Sequence, residues 1–358
     1  MKQAWKKVVV KVGTNVLTRE NGSLDMTAIS QLVDQLAELK QMGLQVVLVS
    51  SGAVGAGREL LPEADALDPV VRRQMLSSIG QIRLMEVYRQ LFRGHNLLCG
   101  QVLATKEDFR DRTHYLNMRN CLAALLHDSI IPIVNENDVI SVTELMFTDN
   151  DELASLITSM LSADALIILS NVDGLLTGPP DQPGAVRIPE VDAHDESVLT
   201  YIAPGKSSFG RGGMATKLRM AQRTARLGAN VVLANGRRVG ILPAICQGEQ
   251  VGTRIPGQQK VSSVKKWLAH QSGAAARLVI NAGAVRALRD SERVSSLLPV
   301  GVTAIEGDFA KGDLLRITDE AGQVVGTGLA QYDSETARQL LGQQNTKPII
   351  HYDYLVVH

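Results

Sequence analysis

Residues 8–15 read Val-Val-Val-Lys-Val-Gly-Thr-Asn, a β-branched apolar run with a lysine near its end and a Gly-Thr turn after it. β-Branched side chains favour extended backbone, and a run that is apolar at nearly every position marks a strand buried on both faces, the habit of parallel sheets. Working outward, Ile29, Leu32, Val33, Leu36 and Leu39 fall on one face of a helix that Gly43 closes. A second apolar strand follows at 45–50. Strand, helix and strand in that order predict an α/β fold, a mainly parallel sheet between helical layers. Further strand patterns at 98–103, 130–135, 165–170 and 230–234 continue the alternation.

The texture changes after Ile255. Residues 257–273 combine Gly257, Gln258, Gln259 and a serine pair with lysines around one apolar turn, and read as a linker. Beyond it, short strand patterns at 277–280, 302–305, 314–318 and 324–329 are separated by Gly and Asp turns, with helical interludes at 284–289 and 334–341. The expected organisation is a catalytic domain at 1–256, the linker at 257–273 and a small β-rich domain at 274–358.

Composition excludes several classes of function. The 358 residues are 45% hydrophobic and 21% charged, and Lys plus Arg equals Asp plus Glu at 37 each. No global field draws the chain to nucleic acid or to a membrane surface, so any anion site is local. Cys99, Cys121 and Cys246 are few and far apart, which fits reduced thiols and neither a disulfide frame nor a zinc knuckle. The apolar run after Lys2, Lys6 and Lys7 is too short for a secretory leader, and no stretch is long enough to span a bilayer; a cytoplasmic protein is expected.

Open α/β sheets bind ligands at the carboxyl ends of their strands, and the polar clusters of this chain fall there. Lys11 ends the first strand; a buried ammonium needs an anionic partner, either a protein carboxylate or a ligand phosphate, unless it snorkels off an edge. Residues 50–58, Ser-Ser-Gly-Ala-Val-Gly-Ala-Gly-Arg, form a glycine-rich turn into a helix, a cradle for negative charge or simply a close packing of helix on sheet. Neither this turn nor any other segment matches a dinucleotide fingerprint or a Walker phosphate loop. Residues 135–138, Asn-Glu-Asn-Asp, suit an amino-acid ligand, with Asp138 the partner for an ammonium; an Asn-rich turn bonding to itself is the plainer alternative. At 148–152, Thr-Asp-Asn-Asp-Glu, Asp149 and Glu152 have capping-box spacing, whereas Asp151 in the first helical turn is placed to hold lysines in their charged form. Residues 210–218, Gly-Arg-Gly-Gly-Met-Ala-Thr-Lys-Leu, again lead a glycine turn into a helix, with Lys217 one turn in. Two lysines, two cradles and acidic groups at one sheet edge meet the needs of phosphoryl transfer. The seven histidines form no close-spaced pair, so neither a zinc site nor histidine phosphotransfer is expected.

In order and spacing, VVVKVGTNVLT from Val8, VSSGAVGAGR from Val49, IPIVNENDV from Ile131, TDNDELAS from Thr148 and GRGGMATKL from Gly210 resemble the amino-acid kinase family. The similarity runs nearly end to end. GVTAIEGDFAKGDLLRI from Gly301 and SSLLP from Ser295 look like an appended PUA domain. The resemblance implies the family's three-layer sandwich and transfer of the ATP γ-phosphoryl group to the γ-carboxylate of L-glutamate, first step of proline biosynthesis. Mg²⁺ would accompany ATP. By the same resemblance Lys11 and Lys217 stabilise the transition state and Asp151 orients both. Ser51, Gly52, Ala53, Asp138 and Asn150 contact the substrate. The nucleotide lies against Lys11, Ser170, Asn171, Arg211, Gly212, Gly213, Met214, Ala215, Thr216 and Lys217. Where the family often has Thr-Asp, this chain has Ser170-Asn171, a change on the nucleotide side. Feedback by proline, a homo-oligomer (dimer or tetramer) and functional coupling to glutamyl phosphate reductase are also implied. Kinases of acetylglutamate, aspartate and carbamate share the two-lysine plan; the order NEND then TDND, with the PUA-like tail, favours glutamate. RNA binding by that tail is disfavoured by its charge, eight Lys or Arg against ten Asp or Glu over 274–358.

Overall fold

The computed structural model describes residues 5–61, 68–140, 147, 149–180, 182–202, 213–258, 263–269, 274, 276–290, 295–343 and 346–357. The chain forms two compact units, Met1–Lys260 and Val261–His358.

In the first unit the described elements are β1 (Lys7–Val12), a short α1 (Thr14–Leu17), α2 (Met26–Gln41), β2 (Gln45–Ser50), α3 (Ala53–Leu60), α4 (Pro69–Gly94), β3 (Cys99–Ala104), α5 (Lys106–Arg110), α6 (Arg112–His127), β4 (Ile131–Glu136), α7 (Asn150–Met160), β5 (Ala165–Ser170), α8 (Met214–Arg226), β6 (Asn230–Asn235), α9 (Ile241–Gln247) and β7 (Thr253–Ile255). The sheet order is β3-β4-β2-β1-β5-β6-β7. Every pairing is parallel except β6 with β7. The strand at 8–12 is therefore central, with Lys11 opposite Val49 on one side and Ile168 on the other. Its valines are buried, as are Ile29, Leu32, Val33, Leu36 and Leu39 of α2, and Gly43 takes the left-handed conformation that ends that helix.

Three details differ from expectation. β3 and β4 each begin one residue later than their apolar runs, because Leu98 and Ile130 precede the first ladder pair, Cys99 with Ile131. β7 is an antiparallel edge of three residues, too short to show a period. The 26-residue α4 was not foreseen; its hydrophobic pattern is broken by the polar face described below.

Gly57 and Gly80 bring α3 and α4 into close contact. A Cβ on Gly80 would overlap the Ala53 carbonyl oxygen, and one on Gly57 would overlap that of Leu76. This approach fixes α4 beside the loop that follows β2.

In the second unit α10 (Ser263–Ala269) precedes β8 (Ala276–Ile280), α11 (Ala282–Arg289), β9 (Val302–Glu306), β10 (Leu314–Asp319), β11 (Val324–Leu329), α12 (Ser334–Gln339) and β12 (Leu355–Val357). The sheet order is β12-β11-β10-β8-β9, with β8 and β10 parallel and the other pairs antiparallel. Its own core includes Leu278, Ile280, Leu315, Ile317, Val325 and Ile350. No described helix is long and apolar enough to cross a membrane.

Candidate active site

A cleft of about 310 Å³ opens at the carboxyl edge of the large sheet and is lined by residues from β1, β4, β5, α1, α3, α4, α7 and α8 and the loops between them. Two lysines that line it, Lys11 and Lys217, are bound by the fully buried Asp151: Lys11 Nζ lies 2.6 Å from Oδ1 and Lys217 Nζ 2.8 Å from Oδ2. Lys11 is 4% exposed and Lys217 15%. Asp151 reaches this place because Asp149 caps α7, accepting the Asp151 and Glu152 backbone N–H groups at 3.0 and 3.2 Å. Lys217 comes to it from the first turn of α8. A 2.6 Å hydrogen bond between Ser155 and Thr224 hydroxyls ties α7 to α8.

Burial lowers the Lys11 pKa, against the pull of Asp151 and with the help of Lys217. Burial alone would raise that of Asp151, but the two ammonium groups hold it below the usual carboxylate range. Asp149 is pushed up to about 6, first by burial and then by the negative charge of Asp151. Gly13 lines the cleft beside Lys11, where a Cβ would stand 3.6 Å from the Nζ, in ordinary contact.

The residues expected on the substrate side gather on one wall. Gly52, at φ 104°, turns the chain from β2 into α3, with Ala53 buried at the first helical position. Asn150 Nδ2 donates to the Ser50 carbonyl at 3.0 Å, the Ser51 hydroxyl at 3.0 Å and Asn135 Oδ1 at 3.1 Å. Asp138 is buried and already partnered, by the Arg73 guanidinium and by the Ser77 hydroxyl at 2.9 Å. Arg73 also reaches Glu136 at 3.2 Å. Glu136 itself is raised, by burial first and by Asp138 second.

Of the residues expected to take the nucleotide, Ser170 and Asn171 line the cleft with Lys11 and Lys217, and Leu169 lies beside them. Gly213 caps α8, and Met214, Ala215 and Thr216 form its first turn, half-buried; the cleft meets this helix at Lys217. Arg211 and Gly212 lie outside the described residues, as do Gly210 and Thr148.

Sequence reasoning missed the contribution of α4. Arg73, Ser77 and Gln81 fall four residues apart on one face and meet Glu136 and Asp138, Asp138, and Asn135 respectively. The signal available was that spacing, with Gly80 beside it on the packed face.

The Amino acid kinase family profile matches residues 6–235, and the PUA domain profile matches residues 276–352. The chain is 50% identical to a Bacteroides thetaiotaomicron protein named glutamate 5-kinase, over all of both chains. It is 49% identical to the Chlorobaculum tepidum protein of the same name, over 98% of this chain and 97% of that one. Among solved structures, the carbamate kinase from Giardia lamblia bound to AMP-PNP superposes with a TM-score of 0.52 at 18% identity, covering 71% of this chain and 99% of that one. The UMP kinase from Bacillus anthracis does so with a TM-score of 0.50 at 17% identity, covering 72% and 98%. These two likenesses concern the fold alone.

Proposed function

The chain belongs to the amino acid kinase family, and from that premise we propose that its cleft transfers the γ-phosphoryl group of ATP to the γ-carboxylate of L-glutamate, the reaction for which its relatives are named. The observation that carries this reading is the pair of ammonium groups on one buried carboxylate, Lys11 and Lys217 on Asp151. No general base is required, because a γ-carboxylate is already ionised at neutral pH. The difficulty is to bring two anions together and to stabilise charge on the equatorial oxygens of the moving phosphoryl group. Two lysines held in position before substrates arrive do this with little reorganisation.

Asp151 gives each lysine an anionic partner in the free enzyme and fixes its direction. The Gly52 turn and the start of α3 bring backbone N–H groups to the cleft for the acceptor substrate. Asp138 and Asn150 stand to receive its α-ammonium, and Arg73 supplies a cation for its α-carboxylate. Ser170, Asn171 and the segment from 211 to Lys217 take the nucleotide.

ATP would bring Mg²⁺ with it. Such an ion keeps phosphate and water oxygens and needs only one or two carboxylates from the protein. Asp149 fits: its Oδ2 is buried on the cleft wall with no hydrogen-bond partner among the described residues. There it would hold the ion, which neutralises phosphate charge.

A substrate panel tests the reading. ADP release is expected with L-glutamate and not with N-acetylglutamate, aspartate or carbamate; activity confined to one of the other three would replace glutamate as the acceptor. Repeating the assay with added proline tests the feedback that family membership implies.

A further inference from the structure

Asn150 is held in one orientation by its surroundings. The Ser50 carbonyl can only accept, so the face of the Asn150 amide toward it is the NH₂. Asn135 is oriented in the same manner: its Oδ1 accepts the Glu136 backbone N–H at 2.9 Å, which leaves its Nδ2 to donate. That Nδ2 is taken by Gln81 Oε1 at 2.9 Å. Asn135 Oδ1 is then free to accept from Asn150 as well, at 3.1 Å. Every donor of the Asn150 amide is thus spent inside the protein, and its Oδ1 is the atom left for a ligand.

Gln81 supplies only an acceptor to this chain. Its own Nε2 is buried without a partner among the described residues. It is 7% exposed and lies on α4, outside the set of residues that line the cleft.

We propose that Gln81 and Asn135 are positioning residues that lock Asn150 with its carbonyl oxygen toward the cleft, so that this wall selects an acceptor substrate carrying a hydrogen-bond donor, the α-ammonium, beside its carboxylates. The proposal rests on the reading of the cleft as a glutamate-phosphorylating site and names the device that reads one end of that substrate. Without the Gln81 acceptor, Asn135 Nδ2 is left unpaired, its amide is held only through Oδ1 by the Glu136 N–H, and the bond that Asn150 makes to that Oδ1 is loosened. The expected loss is selectivity, not chemistry, because Lys11, Lys217 and Asp151 are untouched.

The test compares the wild type, Gln81→Met and Gln81→Glu with L-glutamate, with glutarate (which lacks the ammonium) and with 4-aminobutyrate (which keeps the ammonium and lacks the α-carboxylate). Met removes the acceptor at similar volume; Glu keeps an acceptor oxygen at the same place. In Gln81→Met the KM for glutamate should rise about 10- to 150-fold, the worth of one buried hydrogen bond to an ionic group. The KM for ATP should hold, and kcat should fall much less than KM rises. The KM for 4-aminobutyrate should rise in parallel and that for glutarate should not, so preference for glutamate over glutarate narrows. Gln81→Glu should restore most of that preference. An unchanged glutamate-to-glutarate preference in Gln81→Met, or equal loss of it in Gln81→Glu, overturns the proposal. If Gln81→Met fails to fold, Gln81→Glu decides: a folded protein that has lost the preference refutes the role, and one that has kept it supports it. A wild type that releases no ADP with glutamate refutes the proposed reaction itself, a different outcome from any of these.

Discussion

In the reaction proposed for this protein the chemistry turns on three side chains that the structure pairs, Lys11, Lys217 and Asp151. Replacing either lysine by alanine should cut kcat on the order of 10²- to 10³-fold, the usual effect of removing one charge-stabilising donor, while the KM for glutamate changes little; steady-state kinetics check this. A second prediction concerns Asp149. Its carboxyl is raised from the ordinary value to about 6 by burial and by Asp151, so the folded state favours the protonated form. The stability this contributes is complete below the unfolded value near 3.8 and is lost as pH rises through about 6. Between pH 5 and pH 7 the wild type should therefore lose on the order of 1 kcal/mol relative to Asp149→Asn, which keeps the helix cap without the charge; urea unfolding at the two pH values measures the difference. At this scale the sequence was legible where a residue's oddity was local. Lys11 inside an apolar strand and Lys217 after a glycine turn each stand out, and although each alone has a plainer reading, their shared sheet edge with Asp151 was legible. The pairing of Asp138 with Arg73, 65 positions apart, was not, because it depends on how α4 crosses the sheet edge.

At the scale of elements, strand and helix alternation was readable because burial on both sheet faces leaves near-continuous apolar strands, and because α2 keeps its apolar residues on one face. α4 was not readable. It spends one face on polar contacts with Asn135, Glu136 and Asp138, which dilutes the periodicity that identifies a helix. Its position depends on the glycine contact with α3. Gly80→Ala should force the helices apart where the new Cβ meets the Ala53 carbonyl, at a cost of about 1–3 kcal/mol for overpacking. Since Ala53 opens the substrate loop and α4 carries Arg73 and Gln81, the KM for glutamate should rise together with the fall in melting temperature. A surface alanine on the same helix, Arg83→Ala, serves as the control.

At the scale of the whole molecule, the chain divides into a unit with the large parallel sheet and a unit with the five-stranded sheet, each with its own buried core. All described residues lining the cleft belong to the first. A protein ending at residue 260 should therefore fold cooperatively and keep glutamate-dependent ADP release within about tenfold of the full chain; loss of both folding and activity would tie the second core to the first. The change of texture after Ile255 was visible in composition, since a glycine- and glutamine-rich stretch follows the last β-branched run of the sheet. What no composition conveys is which acceptor the proposed reaction uses. The most direct measurement is formation of γ-glutamyl hydroxamate by the full chain when hydroxylamine is present to trap the acyl phosphate. Hydroxamate should accumulate in step with ADP only when ATP and L-glutamate are both supplied, and should nearly vanish in Lys11→Ala and Lys217→Ala. ADP release without hydroxamate, or hydroxamate at wild-type rates in either lysine variant, would contradict the account.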